Sequence, residues 1–543
     1  MLTCRERKLV ITEVLAAALA DALSELGLDT APSDIHLERP AHRDHGDWSS
    51  NIALVASKGA GRNPRELAAD LARLLESAAV EQIRKVEVAG PGFVNFHLSH
   101  QWLHDVVTDV VCQGADGYAR PEIGVGQSIN LEFVSANPTG PLHAGGGRWG
   151  AYGDSLARIF RRCGYQTFTE YYVNDRGIQT QLFGDSLLAR REGNTPPEDG
   201  YAGDYVTEWA LEMPDDADPV VWGCERALAD VQQSLASMNV TFDHWASEQA
   251  LVDSGAMESI IEALRSGGWV DDREGATWLR TSDFGDEKDR VLLKSDGEPT
   301  YFVPDIAYHN QKFERGNLVI DVLGADHHGY VPRMSAALQM LGHHASSYEA
   351  IIGQNVTLVR NGEEITLSKR TGAMVEVREL IEAVGPDVAR FAYLLQSIDT
   401  RQTIDLDMLS SQAKENPVYY VQYAHARIAS VGREAATRGV NRGPLNETDL
   451  TALTHDRELE VLRTLSMLPE TLEIAARDRA PHKVSTWIRE LAAAFHGFYH
   501  DCPVLRSDVE SDLQQARLWL VESARIGFSI GLELLGLTAP EEM

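Results

Sequence analysis

The chain has 543 residues, and 81 acidic against 49 basic side chains give it a formal charge of −32. At about 150 residues per domain, this length predicts three or four domains. With 43% hydrophobic and 24% charged residues the chain is not globally disordered. It lacks the apolar run of about 18 residues that a membrane span needs. Its acidity argues against indiscriminate nucleic-acid binding, so any RNA contact must be local.

The cysteines predict a reducing environment. They stand far apart, without a Cys-x-x-Cys pair, at Cys4, Cys112, Cys163, Cys224 and Cys502. Neither a disulfide framework nor a thiolate zinc site is expected, which favours the cytoplasm. The early apolar stretch 14–20 repeats at helical spacing, so it indicates an amphipathic helix rather than a secretion signal.

Residues 1–118 predict a small α+β domain. Leu15, Leu19 and Leu23 share one helical face, and Asn63 with Pro64 opens a second helix. Two alternating apolar runs then flank a Gly-Pro-Gly turn within 85–98, a pattern typical of paired strands.

Residues 119–385 predict a Rossmann-like catalytic domain. An apolar strand at 129–134, a loop, a helix ending near Cys163 and a strand at 167–173 form the start of a parallel sheet. In such sheets ligands bind at the carboxyl ends of the strands. An acidic stretch at about 190–280 is expected to be an insertion. Residues 386–543 show no convincing strand and predict an all-α helical bundle, so the fold class is α/β with an α+β domain before it and a bundle after it.

The loop between the first strand and helix is the first candidate for chemistry. It reads Ala136, Asn137, Pro138, Thr139, Gly140, Pro141, Leu142, His143, Ala144, Gly145 and Gly146. A helix N-terminus attracts anions, the glycines let a nucleotide approach the backbone, and His143 can donate to a phosphate. The alternative is that the glycines only permit tight packing and that His143 is an ordinary helix cap.

Two further loops add context. Ser368 and Lys369 lie in the loop 366–372 after a hairpin, where adjacent cations suit a clamp over a polyphosphate, or else form an ordinary solvated loop. Gly324 and Asp326 follow the apolar strand 318–323, near the expected position of a ribose hydroxyl. The adjacent histidines 327–328 have no second ligand pair at zinc spacing, so no resident metal is predicted.

Polar residues in apolar surroundings suggest a pocket for a cation. Glu132 interrupts a strand that otherwise looks buried, and Tyr301 and Asp305 are one helical turn apart. Two carboxylates with Asn137 would suit a planar guanidinium with its five donors. An internal salt bridge to Arg148 or Arg158 explains the same carboxylates equally well.

Together these segments resemble a class I aminoacyl-tRNA synthetase, and the most similar family is arginyl-tRNA synthetase. The resemblance covers essentially the whole chain in the right order. The segments that carry it are 45–53, 88–96, 131–143, 284–290, 301–309, 324–330, 416–427 and 534–540.

The resemblance implies that arginine attacks the α-phosphate of ATP to form arginyl-adenylate and that the acyl group then passes to tRNA. It implies that Glu132, Asn137, Tyr301 and Asp305 hold L-arginine. His143, Ser368 and Lys369 would act on the phosphates, and the 136–146 loop with Gly324, Asp326 and Lys369 would hold ATP, with Mg²⁺ carried by the substrate. It further implies a cytoplasmic monomer whose residues 1–118 and 386–543 contact the cognate arginine tRNA, the latter at the anticodon.

Two motifs depart from the family pattern. The usual His-x-Gly-His reads His143-Ala-Gly-Gly146, and the usual Lys-Met-Ser-Lys reads Thr366-Leu-Ser-Lys369. These losses motivate one rival hypothesis, a non-catalytic RNA-binding relative. A second rival is a synthetase for another amino acid, in which the carboxylate pair is structural.

Overall fold

The computed structural model describes residues 11–40, 42–365, 375–411 and 416–542. The chain divides into two compact units. The first comprises 1–118, 428–467 and 493–527, and the second comprises 119–427, 468–492 and 528–543. Within the described part of the chain, every helix is too short or too polar to cross a lipid bilayer.

The helices of the described residues are, in chain order, α1 (Ile11–Glu25), α2 (Ile52–Ala60), α3 (Pro64–Ser77), α4 (His100–Gly117), α5 (Ala144–Arg162), α6 (Ile178–Arg191), α7 (Asp204–Glu212), α8 (Pro219–Ser237), α9 (Glu248–Asp253), α10 (Ala256–Ser266), α11 (Phe302–Lys312), α12 (Val331–Met340), α13 (Val377–Val384), α14 (Pro386–Tyr393), α15 (Leu406–Leu409), α16 (Pro417–Thr437), α17 (Asp456–Ser466), α18 (Leu468–Arg477), α19 (His482–Asp501) and α20 (Ser511–Leu534).

The strands of the same residues are β1 (Leu37–Glu38), β2 (Trp48–Ser50), β3 (Ile83–Ala89), β4 (Phe93–Leu98), β5 (Ser128–Glu132), β6 (Gln166–Val173), β7 (His244–Ser247), β8 (Val270–Arg273), β9 (Ala276–Leu279), β10 (Arg290–Leu293), β11 (Leu318–Gly324), β12 (Tyr348–Gly353), β13 (Val356–Arg360), β14 (Glu363–Ile365) and β15 (Gln402–Asp405).

The first unit contains an antiparallel sheet with the strand order β1-β2-β4-β3. The strands predicted within 85–98 are confirmed as the pair β3–β4, joined through the Gly-Pro-Gly turn. Gly92 has a φ of 144°, and a Cβ there would lie 2.9 Å from the Pro64 carbonyl oxygen, so the turn requires glycine. Helices α1 and α3 pack their leucines against this sheet, as in the predicted α+β arrangement.

The second unit is organised around a five-stranded sheet in which every pairing is parallel, with the order β12-β11-β5-β6-β7. In order of appearance along the chain this is 3-2-1-4-5 read from β7, the doubly wound order. Successive strands are added on one side of β5 up to β7 and on its other side from β11 onwards. The strand order therefore reverses between β5 and β11, and a crevice is expected beyond the carboxyl ends of these two strands. The predicted α/β class is confirmed.

The predicted strand content of two regions needs correction. The stretch 190–280 is not a single excursion, because β7 lies inside it and pairs with β6 in the main sheet. Residues 386–543 are not free of strands, because β15 pairs in parallel with β13. Both strands have only four residues and distant partners, so their local sequence gave no usable alternation.

Candidate active site

The chain makes a strained turn where β5 ends. Val134 and Ser135 have φ angles of 70° and 40°, and the Ser135 N–H donates to the Phe133 carbonyl at 3.0 Å. Positive φ is a genuine outlier for a β-branched residue and persists only where the surroundings enforce it. Strand β6 does so, because the Tyr172 N–H donates to Ser135 Oγ at 3.0 Å. The loop therefore leaves the sheet in a fixed direction.

The following loop is held from the side by tyrosines. The hydroxyls of Tyr171 and Tyr205 donate to the carbonyls of Ala136 and Thr139, at 2.8 and 3.0 Å. Gly140 has a φ of 152°, and a Cβ there would lie 2.7 Å from the Tyr205 ring. Only glycine lets that ring pack on the loop. The predicted nucleotide loop is thus a rigid backbone surface.

His143 is the N-cap of α5. Its Nδ1 accepts the Gly146 N–H at 2.9 Å, so the ring proton is carried by Nε2. The alternative role raised from sequence, an ordinary helix cap, is therefore real, but it also fixes a tautomer in which Nε2 is the donor. The helix N-terminus behind it favours anions. Capping and phosphate binding are compatible here.

The chain returns to this helix just after the stretch 366–374. The Ala144 N–H donates to the Val375 carbonyl and the Val377 N–H donates to the Leu142 carbonyl, both at 2.8 Å. His143 and Glu376 form the bridge between these bonds. Ser368 and Lys369 themselves lie outside the described residues, and so does Thr366. The residues that follow position 374 therefore lie beside His143.

Gly146 occupies a position with little free space. A Cβ there would lie 2.6 Å from Leu142 Cδ1 and 3.8 Å from His143 Cε1. The next residue, Gly147, would place a Cβ 3.0 Å from the Tyr393 ring. The Leu142 side chain therefore crowds position 146, where the family pattern has its second histidine, and Tyr393 crowds the next position.

Three carboxylates stand side by side on one face of the parallel sheet. The register pairs Asp321 of β11 with Glu132 of β5, and Glu132 with Glu170 of β6. The three side chains are almost fully buried, with 1%, 7% and 0% exposure respectively. Helix α11 and the residues after it cover this face with matching donors. An uncompensated row of this kind would be very unfavourable.

Lys312 compensates two members of this row. It is fully buried, its Nζ donates to Asp321 Oδ1 at 2.6 Å, and it also forms an ion pair with Glu132 Oε2. Burial alone would lower the pKa of Lys312, but the charges of Asp321 and Glu132 outweigh it and raise that pKa. Arg315 pairs with the third member, Glu170, through Nε at 2.9 Å and Nη2 at 2.8 Å.

Glu132 is thus held by a lysine and not by the arginines considered from sequence. Arg148 donates instead to the carbonyls of residues 354, 397 and 400, and Arg158 pairs with Asp154. The Tyr308 hydroxyl also donates to Glu132 Oε2, at 2.9 Å. Both donors reach the same oxygen, and no described residue donates to Oε1. Among the described residues, both hydrogen-bond donors of Glu132 thus act on one oxygen.

Asp305 also receives its side-chain hydrogen bond on only one of its two carboxylate oxygens. The Tyr330 hydroxyl donates to its Oδ2, and no described residue donates to Oδ1. Burial raises the pKa of Asp305 above the ordinary aspartate value; the Tyr330 hydrogen bond opposes this, and the charge of Glu132 adds to it. The two carboxylates are close enough to interact electrostatically. Each keeps one oxygen without a donor among the residues that the structure describes, an arrangement suited to a forked cation.

A third acidic side chain adds negative charge to this pocket. Glu248 begins α9 and is 9% exposed. Burial raises its pKa, and the charge of Asp305 acts in the same direction. The Tyr172 and Tyr308 rings, 4.6 Å apart, also lie in this region. Such surroundings favour a cationic ligand and disfavour an anionic one.

The other predicted site residues lie in the 136–146 loop, at the start of α11 and at the end of β11. Tyr301 is the N-cap of α11 and is 77% exposed. Asn137 donates to Gln179 Oε1 at 2.6 Å. Gly324 ends β11, whose carboxyl end is next to that of β5. Asp326 lies in the 3-10 turn that follows, and its side chain is outside the described part of the structure.

Sequence reasoning missed the donors that shape the pocket. Asp305, Tyr308, His309 and Lys312 follow the spacing i, i+3, i+4, i+7, which puts four polar side chains on one face of α11. That face was recognisable in the sequence. The partner of Asp305, Tyr330, was not recognisable, because it comes from the turn after β11.

Three family models match the chain: the arginyl-tRNA synthetase N-terminal domain at 13–98, the class I (R) tRNA synthetase catalytic domain at 212–413, and the DALR anticodon binding domain at 421–543.

Full-length relatives match as well. The arginine–tRNA ligase of Kineococcus radiotolerans is 44% identical over 97% of this chain and 99% of its own length. The enzyme of Frankia alni is also 44% identical, over 98% and 99%. The Thermus thermophilus arginyl-tRNA synthetase structure, 22% identical, superposes with a TM-score of 0.78 over 98% of this chain and all of that one, which supports the fold. The chain therefore belongs to the arginyl-tRNA synthetase family.

Proposed function

We propose that this protein attaches L-arginine to its cognate tRNA, using ATP and an arginyl-adenylate intermediate and releasing pyrophosphate and AMP. The observation that carries the proposal is the pair of carboxylates, Glu132 and Asp305, each held on one oxygen only. Glu132 ends β5, next to the point where the strand order of the sheet reverses, and Asp305 lies in the first turn of α11. Membership of the family supports the reaction.

Recognition of arginine follows from charge and shape. A guanidinium offers donors in a rigid fork, and Glu132 Oε1 with Asp305 Oδ1 offers two acceptors. A lysine ammonium is a compact point charge with a different hydration and cannot form two parallel bonds in one plane. Asn137 and Tyr301 complete the proposed contacts to arginine. Tyr301 is exposed in the described structure, so arginine would recruit it from the rim of the pocket.

Activation requires that the arginine carboxylate attack the α-phosphorus while pyrophosphate leaves. The loop 136–146 would hold ATP, and the N-terminus of α5 would face its phosphates. His143 would donate from Nε2 to the negative charge that develops on the phosphoryl oxygens. Ser368 and Lys369 are proposed to act on the pyrophosphate side, and Gly324 with Asp326 on the ribose.

The remaining features of the proposal concern partners and environment. Magnesium would enter with ATP, because this ion keeps its waters and binds substrate phosphates. Residues 1–118 are proposed to bind the outer corner of the tRNA, and 386–543 its anticodon. The anticodon-domain match at 421–543 supports the second assignment. The protein is proposed to act as a cytoplasmic monomer, and its described cysteines are free thiols.

The decisive experiment is arginine-dependent exchange of pyrophosphate into ATP, measured with and without tRNA, together with tRNA charging. Arginine should support both reactions, whereas lysine and citrulline should not. Citrulline matches arginine in shape but carries no charge, so it isolates the carboxylate contribution. Without a cation, the two carboxylates would lose their partner.

Two outcomes would overturn the proposal. Binding of tRNA without exchange under any condition would make the chain a non-catalytic relative. Exchange driven better by another amino acid would make the carboxylate pair structural. An Asp296→Asn variant is a suitable control for general damage, since Asp296 is exposed and caps a turn through the Glu298 N–H.

A further inference from the structure

Two donors on helix α11 act on a single oxygen of Glu132. The Tyr308 hydroxyl donates to Oε2 at 2.9 Å, and the Lys312 ammonium pairs with the same atom. A carboxylate normally spreads its donors over both oxygens, because each offers two lone pairs. The concentration of both bonds on Oε2 therefore restricts the rotation of the carboxylate plane, and Oε1 has no donor within the described part of the chain.

Lys312 is itself held in place by a chain of hydrogen bonds. Its second carboxylate, Asp321, lies with Oδ2 2.8 Å from His309 Nε2. The other ring nitrogen of His309 lies 2.7 Å from the Asp305 carbonyl oxygen. The positive charge of Lys312 lowers the pKa of Asp321 despite its burial. The network thus runs from Glu132 to the backbone of the second pocket carboxylate, with every member on rigid elements.

We propose that Lys312 and Tyr308 are positioning residues for arginine, which hold Glu132 by Oε2 so that Oε1 receives the guanidinium. The inference rests on the proposed function. Lys312 also keeps Glu132 from carrying a full uncompensated charge when the pocket is empty. In this arrangement substrate and lysine use different oxygens, so arginine need not displace the internal ion pair.

A purely structural role would make a different prediction. If Lys312 only neutralised buried charge, its loss would lower the stability of the sheet and affect arginine and ATP use alike. If it positions Glu132, arginine binding suffers selectively. The Michaelis constants for the two substrates therefore separate the two roles, provided that each variant is first shown to be folded by circular dichroism.

The first test uses Tyr308→Phe, which removes only a hydroxyl and is expected to fold. KM for arginine in tRNA charging should rise about tenfold, the effect of one hydrogen bond to a charged group. KM for ATP should stay within about twofold of the wild-type value. Lys312→Met, of similar length but neutral, should raise KM for arginine roughly 30- to 100-fold with the same selectivity.

A matched control is Arg315→Met. It removes a cation from the same row of carboxylates, because Arg315 pairs with the fully buried Glu170. It should lower thermal stability but leave KM for arginine within about twofold. A similar rise in KM for arginine in this variant would show that any loss of charge on the sheet face has this effect, and it would overturn the proposal.

The second test is a double-mutant cycle with Glu132→Gln. If Tyr308 acts through Glu132, Tyr308→Phe should add less than about twofold to KM for arginine once Glu132 is an amide. Full additivity, or no effect of Tyr308→Phe in the wild-type background, would refute the inference. A wild-type protein that charges no tRNA with arginine would instead refute the proposed function, so the two failures are distinguishable.

Discussion

The antiparallel sheet of the first unit and the parallel sheet of the second treat charge in opposite ways. On β3, Lys85 and Glu87 pair at the surface, with 55% and 37% of their side chains exposed. On the parallel sheet, Asp321, Glu132 and Glu170 are buried in a row and are compensated by Lys312 and Arg315.

Exposed charges on the first sheet and buried charges on the second serve different purposes, the former solubility and the latter function. Surface pairs contribute little to stability, because water screens them. Buried charges are unfavourable unless each is paired, so a chain that keeps a row of them gains something other than stability. Here two carboxylates near the crevice, Glu132 and Asp305, each keep one oxygen open. Buried charge with incomplete internal pairing is thus the signal that points to the ligand.

The largest effect is expected when the buried pairing is broken. Lys312→Met should lower the free energy of unfolding of the second unit by about 3–5 kcal/mol, because two buried carboxylates lose their cation. Urea unfolding followed by tryptophan fluorescence would show this as a lower midpoint. A midpoint equal to that of the wild type would mean that the row is far more hydrated than its burial indicates.

Removal of an open carboxylate oxygen should affect the substrate more than the fold. Asp305→Asn is expected to reduce kcat/KM for arginine roughly 100-fold, since an amide cannot form a charge-assisted pair with the guanidinium. KM for ATP should change little. Initial rates of tRNA charging at varied arginine and varied ATP would check this, and equal losses for both substrates would refute the assignment of the pocket.

Acid should weaken arginine binding through the same residue. The pKa of Asp305 is raised by burial, so at a given pH more of it is protonated than of an ordinary aspartate. Only the ionised form pairs with the guanidinium. KM for arginine should therefore rise as pH falls through this raised pKa, by up to about tenfold per pH unit. In Asp305→Asn this component of the pH profile should be absent.

Introducing the family's second histidine at position 146 should lower activity rather than raise it. In Gly146→His the new Cβ would lie 2.6 Å from Leu142 Cδ1, and the Leu142 carbonyl binds the Val377 N–H. Overpacking of about 1 kcal/mol or more should reduce kcat/KM for ATP about three- to tenfold. Gly146→Ala isolates the packing contribution. A histidine variant faster than the wild type would show that Leu142 yields easily.

The smallest effect is expected on the antiparallel sheet. Lys85→Gln removes one partner of the exposed pair with Glu87. Neither the urea midpoint nor the charging rate should change beyond measurement error, because such pairs are screened by water. A clear loss would mean that the contrast between the two sheets does not follow burial.

Much of the fold could be predicted because its signals are local. Alternation marked β3 and β4, and apolar runs marked β5, β6 and β11. The same reasoning did not find the short strands. β7 at His244–Ser247 and β15 at Gln402–Asp405 depend on partners elsewhere in the chain, so their four residues carried too little pattern.

The sequence indicated which carboxylates belong to the candidate site, but not which residues form hydrogen bonds with them. Glu132 stood out because a charge interrupted an apolar strand, and Asp305 because it lies one helical turn after Tyr301. Their partners, Lys312 and Tyr330, come from tertiary contacts that no single segment contains. The domain limits and the residue roles derived from resemblance remain predictions.

The short bridge at His143 has a consequence for engineering the protein. Strand β14 ends at Ile365, and residues 375–377 are hydrogen-bonded to residues 142–144, so the nine residues between have both ends anchored. These flanking hydrogen bonds do not involve positions 366–374. We therefore expect that loops from other members of the family, with their own lysine and methionine, can replace these positions while the contacts on both sides are kept.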